Sequence, residues 1–165
     1  MSLKNMSNIS NKFMFGISEG LKDLILDVVK EHACNLYHAS LNANKLKIFI
    51  EKQGGATVGD CEKISRALIL NFAAISEKYR DLSLEVSTPG IERELYLPEH
   101  FRKAVGERIR VKVTDGVIEG RLREASSEDF VIDEQTGESR CLKYNEVLSA
   151  QVKRTTEELF KRRKK

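Results

Sequence analysis

Basic residues alternate along the stretch RIRVKV, at Arg108, Arg110 and Lys112. Alternate side chains of a β-strand point to the same face of a sheet, so these three cations would share one face. A face with several cations is suited to contact with phosphate groups or with another protein. Three further arginines would extend it if the neighbouring strands pair in the right register: Arg121, Arg123 and Arg140.

Acidic residues interleave with these cations, at Glu107, Glu119 and Glu124. An ordinary soluble sheet face is therefore an alternative interpretation of the same pattern. Stacking on RNA bases would need exposed aromatic rings. In this half of the chain the strand region contains Phe130 and Tyr144, and Phe130 alternates with core positions. We therefore expect contact with a phosphate backbone or with protein, and no reading of bases.

A second group of cations ends the chain, at Lys161, Arg162, Arg163, Lys164 and Lys165. The formal net charge is +3, so the rest of the chain is slightly acidic. Terminal basic blocks are usually solvated tails, and such tails often bind polyanions weakly and in a salt-dependent manner. This tail joins the candidate binding residues.

Two arrangements of residues could support catalysis. Glu92 and Glu94 are neighbouring carboxylates, but Arg93 lies between them after a turn, which favours solvated side chains over an acid and base pair. Ser87 and His100 could serve as nucleophile and base, but no GxSxG elbow and no Gly-rich oxyanion segment surrounds Ser87. We therefore predict that the protein is not an enzyme and has no small-molecule substrate.

Metal and cofactor signals are weak. His32, Cys34 and His38 have the H-x-C-x3-H spacing, which matches no standard zinc pattern and lacks a fourth ligand. The glycines around residues 54–59 lack the GK[ST] of a phosphate loop. We predict neither a metal nor a cofactor. The three cysteines, Cys34, Cys61 and Cys141, form no CxxC pair and are expected to be reduced, buried thiols.

The elements that must position these residues fall into two groups. After a flexible N-terminus, residues 1–16, the pattern predicts an α+β layer domain over residues 17–98 with the order α-β-β-α-β. Its elements are a helix from residue 17 to about 33, a hairpin of strands 35–41 and 45–52, a helix capped by Thr57 and Asp60, and a strand at 82–86.

The second group is rich in strands. Residues 99–107 are predicted as a short helical linker, residues 108–154 as a C-terminal domain and residues 155–165 as a basic tail. Five short strands at close spacing favour a small SH3-like or Sm-like β-barrel. They are predicted at residues 108–114, 117–125, 129–135, 139–143 and 148–154, with a short helical turn before the last one.

The stretch LEVSTPGIEREL connects the two groups. Pro89 restricts Thr88 to extended conformations and Gly90 tolerates positive φ, so residues 88–91 are predicted to close a type II turn. No run of eighteen apolar residues occurs, and the N-terminus lacks a secretion signal. We expect a soluble, cytoplasmic protein without membrane contact.

Several of these stretches together resemble the bacterial ribosome maturation factor RimP family. They are LKIFIEKQGGATVGDCEKISRAL, LEVSTPGIEREL and HFRKAVGERIRVKV, followed by the short strands. By position, Ser87, Pro89, Gly90 and Arg93 match the family motif, whereas Glu94 stands where the family usually has proline. In similar proteins this motif joins the two domains. The resemblance suggests that Arg93 reaches carbonyls or a carboxylate at the interdomain seam, and a solvated arginine is the alternative.

The resemblance implies a non-enzymatic assembly factor that binds the free small (30S) ribosomal subunit during its maturation. It implies a ribosomal protein and 16S rRNA as partners, and we expect a monomer. One alternative is an Sm-like RNA-binding regulator that acts off the ribosome and forms a ring. The other is a hydrolase built on Ser87 and His100 or on the glutamates.

Overall fold

Hydroxyl caps determine where the two long helices begin. The computed structural model describes residues 13–155 and 157–159, with helix α1 at Glu19–Glu31 and helix α2 at Val58–Ile75. Ser18 Oγ accepts the backbone N–H of Leu21 at 3.4 Å. At α2 the Asp60 N–H donates to Thr57 Oγ1 at 3.1 Å, and the Thr57 N–H donates to Asp60 Oδ2 at 2.8 Å. The predicted cap of the second helix is confirmed.

A four-stranded sheet carries these helices. The strands are β1 (Met14–Phe15), β2 (Asn35–Asn42), β3 (Lys45–Glu51) and β4 (Ser83–Ser87), and they lie side by side in that order. β2 and β3 form the predicted antiparallel hairpin, whereas β1 and β4 pair in parallel on either side of it. Met14–Phe15 was predicted as flexible N-terminus and forms an edge strand instead. Two residues are too few to show an alternating pattern in the sequence.

One face of this sheet packs under the helices. Leu46, Ile48 and Ile50 of β3 are fully buried, while the alternating residues of the same strand are partly or largely exposed. They form one core with the inward residues of α1 and α2, which are Leu21, Ile25, Val28, Val29, Ile64, Leu68 and Phe72. The predicted layer of two helices on one sheet face is confirmed.

The second sheet has five antiparallel strands. They are β5 (Arg108–Val113), β6 (Gly116–Ala125), β7 (Asp129–Glu134), β8 (Ser139–Lys143) and β9 (Val147–Val152), in the order β8-β7-β6-β5-β9. A short 3-10 helix, Tyr144–Glu146, precedes β9 as predicted. No ladder joins β8 to β9 within the described residues, so strand pairing leaves the sheet open and does not close the predicted barrel. The α+β class with two sheets is confirmed.

Three aromatic rings lie at the centre of the hydrophobic core of this sheet. Phe101 lies on helix α3 (Pro98–Lys103), with its ring centroid 4.7 Å from that of Phe130 and 5.0 Å from that of Tyr144. Phe101 and Phe130 are fully buried. Residues 98–103 therefore belong to the packing of the second sheet, although the sequence placed them at the end of one domain and in a linker.

The chain divides into an N-terminal unit, Phe13–Pro89, and a C-terminal unit that begins at Gly90. The sequence analysis placed the end of the first domain later, at residue 98. Residues 93–95 explain this difference, because they pair with β9. The Leu95 N–H donates to the Ala150 carbonyl and the Val152 N–H donates to the Arg93 carbonyl, both at 2.9 Å. In the part of the chain that is described, no helix is both long and apolar enough to cross a membrane.

Candidate functional site

The motif residues lie on both sides of the boundary between the units. Ser87 is the last residue of β4, Pro89 ends the N-terminal unit and Gly90 begins the C-terminal one. Gly90 does not have positive φ, and the turn lies at Ile91 and Glu92. The predicted type II turn is therefore wrong, because such a turn requires positive φ at its third residue.

Arg93 binds a carboxylate within its own unit. Its Nη2 lies 2.9 Å from Glu107 Oε2, and the second oxygen of Glu107 accepts Nη2 of Arg154. The exposed fractions of these side chains are 22% for Arg93 and Glu107 and 17% for Arg154. The two arginines thus share one carboxylate and fasten the segment before α3 to the end of β9. A solvated Arg93, the alternative interpretation, does not describe this arrangement.

Three of the four residues that could have supported catalysis have structural partners. Glu92 Oε2 accepts the Arg154 N–H at 3.1 Å, and Glu94 Oε2 accepts the Tyr96 hydroxyl at 3.0 Å. Neither carboxylate is free in solvent, which corrects the expectation of solvated side chains. His100 Nδ1 accepts two backbone N–H groups, and the residue is 4% exposed.

The three residues with metal-ligand side chains, for which no metal was predicted, also have other contacts. His32 Nδ1 lies 2.8 Å from the Val28 carbonyl, Cys34 Sγ donates to the His32 carbonyl, and the His38 ring stacks on Phe49 with centroids 6.0 Å apart. Within residues 13–155 and 157–159, no three His, Cys, Asp or Glu side chains group as ligands for a metal ion. Of the cysteines, Cys34 is buried, whereas Cys141 is exposed and corrects the expectation of a buried thiol.

The outward side of β5, β6 and β7 carries most of the predicted cations. We call this surface the basic face and define it by Arg108, Arg110, Lys112, Glu119, Arg121, Arg123 and Asp133. Arg108 pairs directly with Arg121 across β5 and β6, Arg110 pairs with Glu119, and Arg121 pairs with Asp133 across β6 and β7. Directly opposed residues share a face, so the register brings these predicted cations together.

The two carboxylates of the basic face are engaged by its arginines. Glu119 lies 3.3 Å from Arg108 Nη2 and 3.5 Å from Arg110 Nε. Asp133 accepts Nη2 and Nε of Arg123, at 2.7 and 2.9 Å, and the Ser139 hydroxyl at 2.7 Å. The Ser139 hydroxyl and the Arg123 guanidinium hold the pKa of Asp133 below its usual range. By this definition five cations face two carboxylates, while Glu124, opposite Val131, and Asp129 lie further along the same outward side of β6 and β7.

Arg121 has no ion pair to a carboxylate within the described residues, and its Nη1 donates to the Gly106 carbonyl at 2.7 Å. Its guanidinium also interacts electrostatically with Glu158. The pKa of Glu158 is lowered mainly by the Thr155 N–H and to a lesser extent by the charges of Arg154 and Arg121. In the described part of the chain, Arg121 is therefore held by a backbone carbonyl and lies opposite Asp133 without an ion pair to it.

Two depressions lie on the basic face. One, of about 410 Å³, is lined by Arg108, Gly120, Arg121, Asp133 and Gln135. The other, of about 270 Å³, is lined by Arg110, Lys112, Val117, Ser149 and Gln151. Gly120 is required here, because a Cβ at this position would lie 2.3 Å from the Asp133 carbonyl oxygen. A glycine inside an alternating strand is the signal that could have identified this close approach from the sequence.

Arg140 does not extend the basic face. It pairs with Ile132, whose fully buried side chain points to the core side of the sheet. Arg140 is therefore on the core side at the open edge strand, where its Nε lies 3.6 Å from Glu134 Oε2. The tail cations Lys161, Arg162, Arg163, Lys164 and Lys165 lie outside the described residues.

The two aromatic residues of the strand region are unavailable for stacking. Phe130 is fully buried, and Tyr144 is 4% exposed with its hydroxyl donating to the Ser126 carbonyl at 2.7 Å. Burial raises the pKa of Tyr144 to about 12. The chemistry that the basic face offers is contact between guanidinium or ammonium groups and an anion, in agreement with the sequence analysis.

The sequence analysis did not identify the cluster of Glu107, Arg93 and Arg154. Glu107 was counted only as an acidic residue among the cations, and Arg154 only as the end of a strand. Their contact joins positions 47 residues apart in the chain, which local patterns do not reveal.

The chain was compared with models of known protein families. Residues 24–92 match the family model of the RimP N-terminal domain. The matched stretch begins within α1 and ends just after β4, so it covers the helices and most of the sheet of the N-terminal unit.

Proposed function

We propose that this chain, whose residues 24–92 match the RimP N-terminal domain, acts as a ribosome maturation factor of the RimP family and binds the free small (30S) ribosomal subunit during its maturation. It would act there in the cytoplasm as an assembly factor without catalysis, and as a monomer. Its partners would be a ribosomal protein and 16S rRNA. The match of residues 24–92 to the family carries this proposal.

The basic face supports the RNA part of the proposal. Its five cations and two carboxylates form a positive surface without exposed rings, which suits contact with the phosphate backbone. We propose Arg108, Arg110, Lys112, Arg121 and Arg123 as the RNA contacts of the C-terminal unit. The tail cations would add a salt-dependent contribution, whereas Arg140 is left out of these contacts because it lies on the core side of the sheet.

The C-terminal unit would present this surface on an SH3-like fold. Four strands follow one another as neighbours, and β9 returns beside β5 after a 3-10 helix. This order supports the SH3-like assignment, even though strand pairing leaves the sheet open. The motif Ser87, Pro89, Gly90 and Arg93 would then act as the connection between an RNA-contacting module and the family domain.

Co-sedimentation tests the proposal. The purified chain is centrifuged with separated small subunits, large subunits and intact ribosomes at low and moderate salt, with and without residues 161–165. We expect selective binding to free small subunits that survives moderate salt. Removal of the tail should weaken this binding without abolishing it.

Two other results would contradict the proposal. Equal binding to all ribosomal particles, lost with salt or with the tail, would mean nonspecific attraction to RNA. Tight binding to free RNA by a ring oligomer that ignores all particles would favour an RNA-binding regulator acting off the ribosome.

A further inference from the structure

Two arginines stand directly opposite each other on neighbouring strands of the basic face. Arg108 pairs with Arg121, although like charges in such a pair destabilise a sheet unless an anion compensates them. Glu119 is shared between Arg108 and Arg110, and Asp133 is bound by Arg123 and Ser139 although it stands opposite Arg121. Among the described residues, neither carboxylate forms an ion pair with both Arg108 and Arg121, although Asp133 lines the depression beside them.

We infer that the basic face binds two phosphate groups of one RNA strand, the first between Arg108 and Arg121 and the second between Arg110 and Lys112. These two pairs line the two depressions. The residues Arg108, Arg110 and Lys112 alternate along β5, so neighbouring cations on it are about 6.8 Å apart. The RNA backbone would follow the direction of β5.

The donors of the first position suit a phosphate group. A guanidinium has five N–H donors in a planar fork, and in Arg121 the Nη1 group is occupied by the Gly106 carbonyl. The remaining donors can bind phosphate oxygens in the bidentate manner that arginine favours.

The lining favours a nucleic acid backbone over a protein partner. Protein interfaces are centred on aromatic or large apolar anchors. The largest apolar side chain that lines either depression is Val117, and none of the lining residues is aromatic. For the same reason the two positions would read the backbone and not the bases.

Binding of a short unstructured oligouridine to the full chain tests the inference, with fluorescence anisotropy recorded over a range of salt concentrations. The variants are Arg121→Gln and Lys112→Gln, one for each position. Arg140→Gln is the matched control, because it removes the same charge on the other side of the same sheet. Unfolding curves establish that each variant is folded.

At about 0.1 M salt we expect Arg121→Gln and Lys112→Gln each to weaken binding about five-fold and to reduce the slope of log K against log salt by about 0.7. Arg140→Gln should leave both unchanged. Equal losses in all three variants, or no loss at either position, would overturn the inference. Displacement of the RNA by a polyglutamate peptide of the same charge would assign the face to acidic protein instead.

This inference rests on the proposed function only in taking ribosomal RNA as the polyanion met in the cell. Oligouridine binding with the expected variant pattern, without co-sedimentation with small subunits, would support the phosphate positions and remove the proposed function. If Arg121→Gln and Lys112→Gln both leave selective co-sedimentation with small subunits unchanged, the proposed function would be supported and the two phosphate positions would be removed.

Discussion

His100 is a buried residue that acts as a hydrogen-bond acceptor for the main chain. Its Nδ1 accepts the N–H groups of Tyr96 at 3.0 Å and Leu97 at 3.2 Å. Two backbone donors require an unprotonated Nδ1, so the neutral ring carries its proton on Nε2. The histidine therefore holds the start of α3, and with it Phe101, in place.

Replacement of His100 tests this role. His100→Ala should lower the free energy of unfolding by about 2–4 kcal/mol, because it leaves two N–H groups without their acceptor and removes buried side-chain volume. His100→Asn should cost less, since an amide oxygen can take the position of Nδ1. Urea denaturation measures both values. Equal losses for the two variants would show that the packing of the ring, and not its hydrogen bonds, provides the stabilising contribution of His100.

At the scale of single elements, the first turn of α2 combines a cap with a charge. The Thr57 N–H, its hydroxyl and nearby Lys52 hold the pKa of Asp60 below its usual range. A carboxyl with a lower pKa in the folded state stabilises the fold at pH values above its unfolded pKa. This contribution is lost as the pH falls through the folded value.

The cap predicts a pH-dependent difference between two variants. Asp60→Asn should destabilise the N-terminal unit at neutral pH, and the difference from the unmodified protein should shrink as the pH falls below about 4. Asp27→Asn, which changes an exposed carboxylate of α1 in the same unit, is the control. Thermal unfolding followed by circular dichroism over pH 2–7 measures both. A pH-independent difference for Asp60→Asn would mean that its charge does not contribute.

Elements were predictable from the sequence where their signals are local. The cap at Thr57 and Asp60 and the alternation around Arg108 needed only neighbouring residues, and both helices and all strands except β1 were anticipated. The face of Arg140 was not, because it depends on pairing with Ile132 on another strand. Phe101 was likewise placed in a linker, since its burial comes from Phe130 and Tyr144, which follow much later in the chain.

At the scale of the whole molecule, each unit has its own hydrophobic core. One cluster of buried residues runs from Leu21 to Tyr79 and the other from Leu95 to Val152. Neither cluster contains a buried residue of the other unit. A cavity made in one core therefore removes contacts from that unit alone, and local unfolding should follow the same division.

A reciprocal pair of core variants tests this division. Phe101→Ala should lower the stability of the C-terminal unit by about 3–5 kcal/mol, and Ile48→Ala that of the N-terminal unit by about 2–5 kcal/mol, because each leaves a cavity among buried side chains. Hydrogen exchange measured by mass spectrometry should show faster exchange in β5–β9 for Phe101→Ala and in β2–β4 for Ile48→Ala. If either variant accelerated exchange equally in both sheets, the chain would unfold as one cooperative unit. In that case the structure of the basic face would depend on an intact N-terminal unit.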